Sequence, residues 1–126
     1  MSGESGSGFG AEHWPVELKL RRAERRLEVE FDDGTIFAYP AEFLRVESPS
    51  AEVTNHGGEK TILGGKGHVG ITAVEPVGRY AVRIVFDDGH DTGIYSWSYL
   101  YDIGRRQAEL WVKYLEALHQ RGLSRL

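Results

Sequence analysis

Two Phe-Asp-Asp-Gly turns, Phe31-Asp32-Asp33-Gly34 and Phe86-Asp87-Asp88-Gly89, constrain this chain more than any other feature. Before the first, Leu27, Val29 and Phe31 alternate with Glu28 and Glu30. Before the second, Tyr80, Val82, Ile84 and Phe86 alternate with Ala81, Arg83 and Val85. A period of two is the pattern of a strand with one buried face. Asp-Gly between such runs predicts a hairpin, because glycine takes positive φ at no steric cost. The return strands are Thr35 to Tyr39 and Thr92 to Tyr95. A short helical piece follows each. Pro40 sets φ for the first helical position ahead of Ala41 to Val46. Ser96 or Ser98 is placed to cap Trp97 to Ile103. Each half therefore reads strand, turn, strand, aromatic, helix, and the second copy carries one extra residue between its glycine and tyrosine. Duplication and convergent use of a good hairpin both account for this, and two copies do not make a solenoid.

Val16 to Arg21 reads as a further strand, with Ala23-Glu24 as a tight turn. Ile71 to Val74 reads as another, followed by a Glu75-Pro76-Val77-Gly78 turn. Gly104 ends or kinks the second helix. A last helix is predicted over residues 105–120, with Ala108, Trp111, Leu115 and Leu118 on one face and Gly122 as its stop. The fold class is α+β: a small antiparallel β-sheet domain with hairpins at the Asp-Asp-Gly turns, short helices and a C-terminal helix. Residues 1–13 read as a flexible Gly/Ser-rich tail, 14–122 as the domain and 123–126 as a C-terminal tail. Residues 54–70 read as a long glycine-rich loop, a length often tied to function or mobility.

The 126 residues contain no cysteine, which excludes disulfides, iron–sulfur ligation and thiolate catalysis by this chain. A net charge of −4 gives no global pull toward nucleic acid or anionic membrane. Arg21, Arg22, Arg25 and Arg26, and the pair Arg105 and Arg106, read as solvated basic faces. No stretch approaches the roughly 18–20 apolar residues of a membrane span, and the N-terminus has no apolar core of a signal peptide. A cytoplasmic protein is expected.

His90, Asp87, Asp88 and Asp91 put three carboxylates and an imidazole within five residues, reasonable ligands for a hard or borderline divalent metal. The same aspartates are what the turn itself prefers, and Asp32 and Asp33 make that turn without a histidine. His13, His56, His68 and His119 are scattered. Gly64-Gly65-Lys66-Gly67 lacks Walker spacing, and Ser48, Ser50, Ser96 and Ser98 lack a nucleophile elbow, so no residue set nominates an enzyme. Tyr95, Trp97, Tyr99 and Tyr101 cannot all face inward; covering the sheet is one role for them, and a partner surface formed by Tyr95, Trp97 and Tyr99 is the other.

Phe43-Leu44-Arg45-Val46-Glu47-Ser48-Pro49-Ser50, Gly78 to Val82, and Phe86-Asp-Asp-Gly-His-Asp-Thr-Gly-Ile-Tyr-Ser-Trp97 together resemble the gamma-butyrobetaine hydroxylase-like N-terminal domain, also called DUF971. The resemblance covers roughly Trp14 to Gly122. It implies a small α+β domain. In the hydroxylases this domain precedes a 2-oxoglutarate- and Fe(II)-dependent oxygenase domain, and the expectation here is a stand-alone copy without that catalytic unit. The domain also occurs beside P-loop iron–sulfur cluster carriers, which implies a protein partner in iron–sulfur or metal-dependent systems and makes iron or zinc the cofactors to consider. The hydroxylases carry a zinc module of three cysteines and a later histidine. Those positions fall here on Ser48, Ser50, Val53 and His90. Hydroxyls replace thiolates poorly and valine not at all, so the resemblance implies a lost zinc site, with Ser48-Pro49-Ser50 closing the loop by side-chain hydrogen bonds.

Overall fold

In the computed structural model, residues 13–50 and 61–126 are described. Strands β1 (Pro15–Arg21), β2 (Arg26–Phe31) and β3 (Ile36–Pro40) form one antiparallel sheet in the order β1-β2-β3. Helix α1 (Ala41–Val46) follows. Strands β4 (Ile71–Val77), β5 (Ala81–Phe86) and β6 (Gly93–Ser96) form a second sheet in the order β4-β5-β6, followed by α2 (Trp97–Arg105) and α3 (Gln107–Gln120). The α+β class and the C-terminal helix expected from sequence are both present.

The alternation decides the packing. Leu27, Val29 and Phe31 are wholly buried while Glu28 and Glu30 face outward. Val82, Ile84 and Phe86 do the same in β5. With Tyr39, Leu44, Tyr95, Leu100 and Ile103 they form one core shared by both sheets. Each such side chain contributes about 1.5–3 kcal/mol by leaving water. The turn glycines Gly34 and Gly89 hold φ of 87° and 92°, a region a side chain rarely enters.

The two halves repeat in three dimensions down to single hydrogen bonds. Phe31 N–H donates to Thr35 O and Phe86 N–H to His90 O. Ala41 N–H donates to Arg25 O at 2.8 Å and Trp97 N–H to Tyr80 O at 2.9 Å. Register shifts fall between Pro15 and Glu17 in β1 and between Ile71 and Ala73 in β4. Across the halves, Tyr39 Oη–H donates to Leu100 O at 2.7 Å, and Tyr95 Oη–H donates to Leu44 O. Such a reciprocal exchange is the signature of a two-fold relation. It supports a repeated structural unit over chance reuse of a hairpin.

Three expectations are corrected. β4 runs to Val77, through the segment read as a turn, because Pro76 sits in an edge strand where its missing N–H costs no ladder bond. Pro40 ends β3 and precedes the helix rather than opening it. On α3 the buried residues are Tyr114 and Leu118, with Trp111 partly buried; Ala108 and Leu115 are exposed. Residues 123–126, read as a C-terminal tail, pack along the glycine-rich loop. Gly65 and Gly67 N–H donate to Ser124 O (2.9 Å) and Arg125 O (2.8 Å), and Arg125 clamps the buried Glu42 carboxylate with two bonds of 2.7 and 2.9 Å. A Cβ on Gly64 or Gly67 would stand 3.0 or 3.1 Å from those same carbonyls, so the glycines permit the close approach. Among the described residues, no helix is long and apolar enough to cross a membrane.

Candidate functional site

The β5–β6 turn and the end of α1 meet at His90. In both Asp-Asp-Gly turns the second aspartate accepts the backbone N–H two residues on: Thr35 N–H to Asp33 at 2.9 Å, His90 N–H to Asp88 at 3.1 Å. That bond closes the turn and sets the backbone of His90. The His90 ring is buried against Phe86, with centroids 5.9 Å apart. Its Nε2 lies 2.9 Å from Ser48 Oγ and 3.2 Å from Ser50 Oγ, and the two hydroxyls lie 3.4 Å apart. Ser48 is also buried. Gly93 makes the room, since a Cβ there would stand 2.5 Å from Ser48 Oγ.

The neighbouring carboxylates point elsewhere. Asp87 accepts Gly70 N–H at 2.9 Å. Asp88 Oδ2 receives Arg45 Nε at 2.8 Å and Lys66 Nζ at 2.7 Å. Burial raises the Asp88 pKa, but Lys66, the His90 N–H and Arg45 outweigh it and bring the carboxyl to about 2. Asp91 lies on the surface, 3.6 Å from Arg83. The expected metal set of His90, Asp87, Asp88 and Asp91 is therefore not brought together: each carboxylate is taken by a cation or a backbone N–H, and the His90 Nε2 faces the serines. Among the described residues, no three His, Cys, Asp or Glu side chains converge on one point.

Ser48, Ser50 and His90, joined in the sequence only by family resemblance, do come together. Val53 and His56 lie outside the described residues. His13 stacks on Tyr101 at 3.8 Å, and His68 and His119 are exposed, so none joins His90. Lys66 of the glycine-rich loop is turned to Asp88, and the Gly65 and Gly67 N–H groups are spent on residues 124 and 125, which leaves no open phosphate cradle there.

The expected partner surface is also corrected. Tyr95 is wholly buried and Trp97 nearly so. Their polar tips find carbonyls inside the fold: Tyr95 Oη on Leu44 O, Trp97 Nε1 on Arg79 O at 2.9 Å. Tyr99 is half-buried, donates to Glu47 O, and is pushed up to about 12 by that burial. Arg45 and Lys66 are members of the site that the sequence reading named for other reasons and did not pair with Asp88. The signal for Arg45 was weak: a charged residue within a short apolar helix.

The family profile described as "Gamma-butyrobetaine hydroxylase-like, N-terminal" matches residues 18–101. Two proteins with NMR solution structures are similar. One is 43% identical, covers 90% of each chain and has a TM-score of 0.79. The other is 46% identical, covers 98% of this chain and 91% of its own, with a TM-score of 0.80. A crystal structure of a DUF971-family protein of unknown function from Acidithiobacillus ferrooxidans is 40% identical over 71% of this chain and 91% of that one, with a TM-score of 0.61. A search among curated proteins finds no match. With the profile spanning both Asp-Asp-Gly hairpins and the Ser48–His90 cluster between them, this chain belongs to the gamma-butyrobetaine hydroxylase-like N-terminal domain family, DUF971.

Proposed function

We propose that this chain is a non-catalytic binding module of the cytoplasm in which Ser48, Ser50 and His90 form a closed structural cluster at the place where the family resemblance implies the zinc module of the hydroxylases. One observation carries the reading. His90 Nε2 is within hydrogen-bond distance of two hydroxyls, while Asp87, Asp88 and Asp91 are engaged elsewhere. A hard cation at His90 would have to draw Asp88 from Arg45 and Lys66, Asp87 from the Gly70 N–H or Asp91 from Arg83, and displace the serines. Hydroxyls offer a borderline metal far less than thiolates do. The setting, a protein partner in iron–sulfur or metal-dependent systems, is what the family resemblance implies. The test is titration of metal-free protein with Zn(II) and, anaerobically, Fe(II), followed by amide and histidine NMR shifts. The expected result is no saturable shift at His90. Tight, stoichiometric binding abolished by His90→Ala would overturn the reading and install His90 as a metal ligand.

A further inference from the structure

A crevice of about 400 Å³ opens between β1 and β4, the edge strands of the two sheets. Leu18, Leu20 and Leu27 line it from the first half, Val74, Pro76 and Val82 from the second. These residues are three repeat-related pairs, so the crevice follows the two-fold relation between the halves. Its volume is that of a small-ligand cleft, roughly 300–1,000 Å³. The buried Trp97, its indole N–H tied to Arg79 O, contributes to the lining.

One charged residue joins this apolar lining: Arg22. Its Nε donates to Thr72 O on β4 at 3.0 Å, a bond that crosses from one half to the other and sets the guanidinium at the crevice. Among the described residues, no carboxylate pairs with Arg22, whereas Arg21, Arg26 and Arg83 nearby are each in an ion pair. The terminal guanidinium nitrogens present a fork suited to a carboxylate.

From this pairing of an apolar slot with a single guanidinium, we infer that the crevice binds an aliphatic monocarboxylate, its alkyl chain between the sheets and its carboxylate on Arg22. Charge complementarity selects the anion, and the apolar walls select the chain. The site shares no residue with the His90 cluster and does not depend on how that cluster is read.

The experiment titrates isotope-labelled full-length protein with octanoate, decanoate, 1-decanol and decyltrimethylammonium, each below its aggregation concentration. Decanoate is expected to give saturable shifts at Ala73, Val74, Val82 and the Trp97 indole N–H. Its affinity is expected to exceed that of octanoate by about tenfold, since each buried methylene is worth about three- to fourfold. Arg22→Gln is expected to weaken decanoate about tenfold and leave decanol unchanged. Ala73→Leu, which fills the crevice, is expected to abolish both while the remaining spectrum stays folded. The inference is overturned by any of three results: no saturable shift at these residues, equal binding of decyltrimethylammonium and decanoate, or shifts centred instead on the exposed Val112 and Leu115 of α3.

Discussion

Gly93 lies against Ser48 as Gly104 lies against Phe37. A Cβ on Gly93 would stand 2.5 Å from Ser48 Oγ, and one on Gly104 would stand 2.6 Å from the Phe37 ring. The two contacts occupy equivalent places in the two halves, where Phe37 corresponds to Gly93 and Gly104 to Ser48. One half fills the place with an aromatic ring over a glycine; the other leaves it to a hydroxyl, and the hydroxyl reaches His90. Gly104→Ala is therefore expected to destabilise by about 1–3 kcal/mol through overpacking. Phe37→Leu should recover part of that loss. A double-mutant cycle by urea unfolding should give a coupling of at least about 0.5 kcal/mol; additivity would mean the ring moves freely.

The crossed tyrosines make an unequal pair. Leu100 lies inside the nine-residue α2, where a helical N–H four residues on can also serve its carbonyl. Leu44 lies near the end of the six-residue α1, and the Ser48 N–H goes to Arg45 O instead. Tyr95→Phe thus strands a buried carbonyl and should cost about 2 kcal/mol, against about 1 kcal/mol for Tyr39→Phe. Denaturant midpoints at equal slope check the order.

Asp88 should govern part of the acid response. Its folded pKa of about 2 lies below the ordinary 3.8. A depressed carboxyl stabilises fully above its unfolded value and loses that contribution as pH falls through the folded one. The stabilisation should therefore fade between about pH 4 and pH 2. Half-screened pairs are worth modest amounts, on the order of 1 kcal/mol. Asp88→Asn should lower stability at pH 7 and flatten the acid limb over that window in unfolding curves taken at each pH.

Ser48 Oγ and Ser50 Oγ both lie within hydrogen-bond distance of His90 Nε2, which lets a thiolate pair be tested at the same place. Ser48→Cys with Ser50→Cys supplies two thiolates beside an imidazole. The double variant is expected to bind Co(II) with a thiolate charge-transfer band that the parent lacks, and His90→Ala in that background should remove or shift it. Absence of the band would place the side chains too far apart for shared ligation.

The C-terminal clamp should read out in the glycine-rich loop. Removing the two bonds from Arg125 to Glu42 frees residues 124 and 125 to detach. Arg125→Ala should raise amide exchange at Gly65 and Gly67 by tenfold or more, with β2 and β5 amides unchanged.

The hairpins and the repeat were legible because their causes are local: alternation, and glycines forced to positive φ. What sequence missed was set by distant partners. Tyr95 and Trp97 have polar tips that read as surface chemistry, yet Leu44 O and Arg79 O satisfy those tips inside the fold. The docking of residues 124 and 125 is made by backbone groups, which leave no side-chain pattern. On α3, Tyr114 and Leu115 compete for the core, and Leu63 O settles it by accepting the Tyr114 hydroxyl. At the site, spacing pointed to adjacent carboxylates, but Arg45 and Lys66 lie too far away in sequence to be paired with Asp88 by inspection.

The exchange of tyrosine bonds between the halves has an architectural consequence. Cut apart, each half would keep a buried tyrosine hydroxyl without the carbonyl that accepts it, because that carbonyl belongs to the other half. The domain is built as a dimer whose subunits share one polypeptide. The two places related by that symmetry are filled differently, one by an aromatic plug and the other by a histidine among hydroxyls.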